Sequence, residues 1–153
     1  MIHQEIKNSL KEAMKAKDTV RLSVIRDLMT AFVNELVSTS KTPQDLLDDD
    51  KALQVIKRKA KQRRESITQF EAGGRPELAG QEKAELEILE TMLPEQMSAE
   101  EITKIVEEQK NITGAINKSD LGKLMGSVMN AIKSSNKDAD GKMVQKVVLE
   151  ALN

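Results

Sequence analysis

Residues 49–93 read DDKALQVIKRKAKQRRESITQFEAGGRPELAGQEKAELEILETML, and this stretch decides the fold. It opens on carboxylates, which gather favourably at the positive end of a helix dipole. An apolar stripe of Leu53, Ile56, Ala60, Ile67 and Phe70 then runs at helical spacing until Gly73-Gly74 stops it. Pro76 suits the first turn of a second helix, which carries Leu78, Leu86, Leu89 and Leu93. A turn this short makes the two helices antiparallel neighbours, with residues near 57–64 opposite residues near 86–93. The spacing thus predicts a long helical hairpin, its first arm over about 49–72.

Working outward, residues 2–16 form a short amphipathic helix with Ile2, Ile6, Leu10, Ala13 and Met14 on one face. Asp18 offers the cap of a second helix, along which Leu22, Ile25, Met29, Phe32 and Leu36 line a stripe. The segment Ser38-Thr39-Ser40-Lys41-Thr42-Pro43 breaks it, because hydroxyl side chains compete for backbone bonds and proline cannot continue a helix. Leu93-Pro94 is the natural boundary, since the residue before a proline is driven out of helical geometry. Ser98 with Glu101 makes a capping box at once, and a helix over about 98–110 follows. A loop around Asn111–Ser119 holds Gly114, and two more helices are expected from Ser119 or Asp120 to Ser134 and from Asp140 to Leu152. The expectation is all-α: residues 1–93 as an N-terminal domain of four to five helices, and 94–153 as a three-helix domain.

Composition agrees and excludes several chemistries. The 153 residues hold no Cys, Trp or Tyr, two Phe and one His, while helix-favouring residues dominate. Disulfides, thiolate metal sites and multi-histidine zinc sites are therefore out. With no apolar run near the roughly 18 residues of a membrane span and no signal-peptide pattern, a cytoplasmic protein is expected, with no metal and no cofactor. His3, two residues from the terminus, is expected to be exposed. Asn136–Gly141 imitates the first half of a calcium loop, but its twelfth position is Val147, so Asp140 is read as a helix cap with Gly141 beside it.

Two basic groups could meet a polyanion. Lys57, Arg58, Lys61 and Arg64 belong to a run of six cations in eight residues, yet residues 1–93 carry equal numbers of basic and acidic groups, and Glu85, Glu87 and Glu90 lie opposite. Arg63 falls within the apolar stripe, so it either pairs with a carboxylate or projects from the core edge on its aliphatic stem. In residues 111–153 Lys118, Lys123, Lys133, Lys137, Lys142 and Lys146 outnumber four acids. Gly122 and Gly126, one turn apart, expose bare backbone either for tight packing or for a docking partner.

The motifs Arg21-Leu22, Arg26, Lys61-Gln62-Arg63, Glu65-Ser66, Gly74-Arg75, Glu82, Glu85 and Leu93-Pro94 resemble the YqeY family of small bacterial proteins. The run Gly122-Lys123-Leu124-Met125-Gly126, with Met129, Ala139-Asp140-Gly141 and Val144, is similar to the tail domain of the B subunit of glutamine-dependent aminoacyl-tRNA amidotransferase. The resemblance implies a helical N-terminal domain joined to a tail domain. It implies an accessory role in which the tail lysines contact tRNA or an amidotransferase complex. The family label it brings is carbon–nitrogen ligase with glutamine as amide donor. The kinase-like cradle and amidase domain of the enzyme have no counterpart in this sequence, so the expectation is a protein without catalysis of its own. The alternative is an adaptor for a protein partner, using the eight methionines for adaptable contacts.

Overall fold

A computed structural model describes residues 1–152, and the chain parts into two compact units, Met1–Leu93 and Pro94–Asn153. The described residues are all-α. The first unit holds α1 (Ile2–Lys15), α2 (Thr19–Ser38), α3 (Asp49–Ala72) and α4 (Pro76–Thr91). The second holds α5 (Ala99–Thr113), a 3₁₀ turn (Lys118–Asp120), α6 (Leu121–Ser134) and α7 (Gly141–Ala151). The 3₁₀ turn is an addition to the expected count, and it leads directly into α6.

Caps set the boundaries. Asp18 Oδ1 accepts from the backbone N–H of Arg21 at 3.0 Å, starting α2. Ser98 Oγ accepts from Glu101 N–H while Glu101 Oε2 accepts from Ser98 N–H, which completes the capping box of α5. Asp140 Oδ1 accepts from Lys142 N–H at 3.0 Å at the head of α7. Each such cap satisfies an otherwise orphaned donor and contributes about 1 kcal/mol. At the other end of α5 the helix runs three residues past the expected stop, to Thr113, where Gly114 takes the left-handed conformation at φ 69° and closes it.

The first core is built on α2, where Val24, Ile25, Leu28, Phe32 and Leu36 are buried. Against them lie Ala52, Val55, Ile56 and Ala60 of α3, Leu89 of α4, and Ile6 and Ala13 of α1. The buried face of α3 is only partly the expected stripe: Ile56 and Ala60 are buried as expected, Leu53, Ile67 and Phe70 are only half-buried, and Ala52 and Val55 sit inside beside them. The difference is physical, since periodicity finds an apolar sector but the neighbouring helix decides which edge of it is covered. The second core joins Ile102 and Val106 of α5, Leu124, Val128 and Ile132 of α6, and Val144 and Val148 of α7. Met97 is drawn into it by a short parallel bridge, in which Met97 N–H donates to Asp138 O at 2.7 Å and Asp138 N–H donates to Glu95 O at 2.9 Å.

His3 overturns the expectation of an exposed residue, for it is 3% exposed. Its Nδ1 accepts the backbone N–H of Leu47 at 3.0 Å, and its ring lies 4.8 Å from that of Phe32. Beside it Ile2 N–H donates to Asp49 Oδ1 at 2.8 Å. The chain start is therefore pinned to the α2–α3 connection, where Leu47 is fully buried. Termini fray only when nothing ties them down.

Burial, and then the charge of Lys7, hold the His3 imidazole below its ordinary value of 6.5. The unfolded chain thus binds the proton more readily, so stability is complete above about pH 6.5 and falls as pH drops below it. As this is the protein's single histidine, the melting temperature of the first unit is expected to fall between about pH 7.5 and pH 5.5. His3→Asn, which keeps an acceptor but no titrating group, is expected to melt lower at pH 7.5 yet show a flatter profile, as followed by circular dichroism.

Candidate functional site

Arg63 lies on the inward-turning edge of α3, and its guanidinium meets three carboxylates from two other helices. Nη1 donates to both oxygens of Glu82 at 3.1 Å and pairs with Glu85, both on α4. Nη2 stands 3.6 Å from Asp27 on α2, whose other oxygen accepts from Lys59 Nζ at 3.0 Å. Only 17% of the Arg63 side chain is exposed, and 13% of Glu85. Of the two readings for Arg63, pairing is the one the structure shows. Glu82 and Glu85 are one turn apart on α4 at helical spacing, so the single Nη1 reaches both.

These groups border a cleft of about 250 Å³ lined by Asp27, Lys59, Gln62, Arg63, Ser66 and Glu82. Five of the residues that carried the family resemblance therefore come together here: Gln62, Arg63, Ser66, Glu82 and Glu85. Asp27 was missed, since it sits on the polar side of α2 and the sequence gives no sign that the far end of α3 returns to it. The arrangement is a clamp. Its carboxylates are engaged by Arg63 and Lys59, and it fastens α2, α3 and α4 to one another.

The rest of the basic run is held in the same way. Arg58 pairs with Glu35 at 3.2 Å and Arg64 with Glu90 at 3.1 Å. Lys57 and Lys61 are both exposed, and Lys57 has a partner of its own. Glu90 was anticipated from the hairpin; Glu35, on α2, was not.

The lysines of the second unit are placed differently. Lys118 is exposed on the 3₁₀ turn, Lys123 and Lys133 are exposed on α6, and Lys142 and Lys146 are exposed on α7. At about 100° per residue, Lys123 and Lys133 fall some 140° from the buried Leu124–Val128–Ile132 face on either side of it, and Lys142 and Lys146 share the side of α7 opposite Val144 and Val148. No ion pair among the described residues engages any of these five. Lys137 is the exception, since its Nζ donates to Glu101 at 2.7 Å and stands 3.6 Å from Glu95. Their hydrogen bond lowers the Glu101 carboxyl below its ordinary range and raises Lys137 above its own. Lys137 therefore fastens the head of α5 to the approach to α7. Gly122 and Gly126 are exposed, and a Cβ at either would meet nothing within 4 Å. Tight packing within the unit is not their role. Gly141 likewise meets nothing and begins α7 beside the capping Asp140.

Comparison with known proteins bears on both units. A family profile described as Yqey-like protein matches residues 3–152. A protein of Pyrenophora tritici-repentis named altered inheritance of mitochondria protein 41, mitochondrial, is 30% identical over 143 residues, 91% of this chain and 76% of its own. The protein of that name from Candida glabrata is 30% identical over 126 residues, 80% of this chain and 68% of its own. An uncharacterized protein of Schizosaccharomyces pombe is 28% identical over 93 residues, 61% of this chain and 72% of its own. The mitochondrial name, shared by two further relatives, corrects the cytoplasmic expectation. No helix among the described residues is long and apolar enough to cross a membrane, but an organelle interior is aqueous too, so that observation never distinguished the compartments.

Removing the Arg63 charge leaves Asp27, Glu82 and Glu85 facing one another at partly buried positions. Arg63→Met is expected to destabilise the first unit by about 2–3 kcal/mol in urea titrations, below the full value for a buried pair because the cleft admits solvent. Adding Glu85→Gln to that variant is expected to restore part of the loss, which a double-mutant cycle measures.

Proposed function

Because the chain belongs to the Yqey-like protein family, we propose that it is a non-catalytic accessory protein that contacts structured tRNA, alone or within a tRNA-amidating complex, through its second unit. The observation that carries this reading is the contrast between the two sets of cations. In the first unit the guanidiniums of Arg58, Arg63 and Arg64 are committed to Glu35, to Asp27, Glu82 and Glu85, and to Glu90. In the second, Lys118, Lys123, Lys133, Lys142 and Lys146 stand exposed on outward faces. Lysine on a helix surface is a point charge suited to phosphate and reads little sequence, so it favours a partner recognised by shape. The carbon–nitrogen ligase label then belongs to the complex that the protein serves, and the clamp around Arg63 keeps the first unit rigid beside it.

A second reading follows from the glycines. Gly122 and Gly126 present backbone on an exposed part of α6, and Met129, 43% exposed, lies one turn further along. A helix of a protein partner could approach closely there. Recovery of a partner that survives nuclease treatment and is lost with Gly126→Leu supports this second reading, and nuclease-sensitive recovery counts against it.

The first reading is tested by titrating the protein against a tRNA transcript at two salt concentrations. Affinity is expected to fall as salt rises, because each lysine that meets a phosphate releases a counterion. Replacing Lys123, Lys133 and Lys142 with Glu is expected to weaken binding by at least about a hundredfold and to flatten the salt dependence, with helicity unchanged. Unchanged affinity in that variant removes the role assigned to these lysines.

A further inference from the structure

Ile112 and Ile116 are 75% and 73% exposed, more than any other large apolar side chain among the described residues. Their exposure follows from the local backbone, which hydrogen bonds fix on both sides of the turn. Gly114, between them, takes φ 69° and ends α5, and the next residue, Ala115, turns inward and is 4% exposed. The backbone N–H groups of Ile116 and Asn117 both donate to Asp120 Oδ2, at 2.8 and 3.2 Å, and Asn117 Oδ1 accepts from Ser119 N–H at 3.0 Å. Thr113 Oγ1 donates to Gln109 O at 2.8 Å on the preceding turn. With Ala115 pulled into the core and Asp120 gripping the chain after it, the two isoleucines are held at the surface on either side of the turn. They contribute nothing to the second core, which is complete without them.

The charges beside this apolar pair are divided, basic after it in the chain and acidic before it. Lys118 follows Ile116 by two residues and is exposed, and Lys123 is exposed in the first turn of α6. The one acid between them, Asp120, is committed inward: the backbone N–H groups of Ile116 and Asn117, and then the charge of Lys123, hold its carboxyl below the ordinary range. Glu107 and Glu108 lie back along α5, a turn before Ile112, so anionic groups are favoured on the Lys118–Lys123 side and disfavoured on the α5 side.

Resting on the tRNA reading above, we infer that Ile112 and Ile116 form an apolar platform for the face of an unpaired or terminal base, with Lys118 and Lys123 meeting the phosphates next to it. A continuous A-form duplex offers only sugar, phosphate and groove edges to a side chain, and its base faces are stacked on one another. An apolar side chain gains from RNA only where a base face is open, at a loop, a bulge or an end, and aliphatic side chains do pack against unstacked bases. The lysines attract any RNA. The isoleucines select folded RNA with an open base from plain duplex.

The test compares the wild-type protein, Ile112→Ser with Ile116→Ser, and Lys118→Gln with Lys123→Gln. Each is titrated against a folded tRNA transcript and an uninterrupted RNA duplex of similar length at two salt concentrations, with circular dichroism confirming helicity. The isoleucine pair is expected to lose about tenfold in tRNA affinity, with duplex binding and salt dependence unchanged. The lysine pair is expected to weaken both RNAs and to flatten the salt dependence. Wild-type tRNA binding that the isoleucine variant reproduces overturns the platform while leaving the tRNA reading in place. Wild-type protein that binds neither RNA overturns both. Concentration-dependent dimerisation that the serine variant abolishes assigns the platform to a second copy of the chain and overturns it as a base contact.

Discussion

One guanidinium among three carboxylates constrains the first unit more than any other contact. Arg63 on α3 reaches Asp27 on α2 and Glu82 and Glu85 on α4, and Lys59 closes the set by binding the far oxygen of Asp27. Apolar packing is non-directional, so the stripe of α2 could slide or turn against the small residues of α3 at little cost. A guanidinium shared between two helices cannot slide, because shifting α4 by one turn would strand a carboxylate beside others with no cation. The clamp lies toward the hairpin end of α3, whereas Phe32, Ile56 and Leu89 fill the core. Packing thus holds the helices together and the clamp sets their register, with Arg64–Glu90 and Arg58–Glu35 adding exposed pairs of smaller worth.

The other end of the first unit is fixed by different means. There α1 is tied by His3 to Leu47 and by Ile2 to Asp49, so the shortest helix in that unit closes the α2–α3 connection. A neutral imidazole is suited to this position: it offers one acceptor to a backbone donor and a flat face to Phe32, without the cost of burying a charge. The same choice makes the contact sensitive to acid.

Helical spacing made the elements and their caps legible: Asp18, Ser98 with Glu101, and Asp140 are local signals whose meaning lies within four residues. The α3–α4 pairing was legible too, because a two-glycine turn leaves the second helix little choice of neighbour. What could not be read were contacts between residues far apart in the chain. Leu47 and His3 are separated by 44 positions, and Glu35 and Arg58 by 23. A cation run looks identical in sequence whether it faces solvent or a ridge of acids supplied by an earlier helix. Lys137 was read with the other lysines of its unit for the same reason, since Glu101 is 36 residues before it. The isoleucines at 112 and 116 were passed over inside an expected loop, where apolar residues carry no periodicity to judge them by.

Charge is spent differently in the two units, and this bears on what each can do. A cation already held by a carboxylate has less to give a phosphate, because binding must first break the existing pair and then desolvate both partners. The first unit carries equal numbers of basic and acidic groups, and Arg58, Arg63 and Arg64 of its basic run are already engaged by carboxylates. The second unit is biased along the chain, with five acids against two lysines in residues 94–110 and six lysines against four acids in residues 111–153. On the reading proposed above, such a division would orient a polyanion even though the net charge of the whole chain is only -1. Lys137, engaged by Glu101, stands apart from the exposed lysines. On that reading, phosphate would meet the exposed lysines after α5 rather than the acids on it, and no large excess of positive charge would be needed.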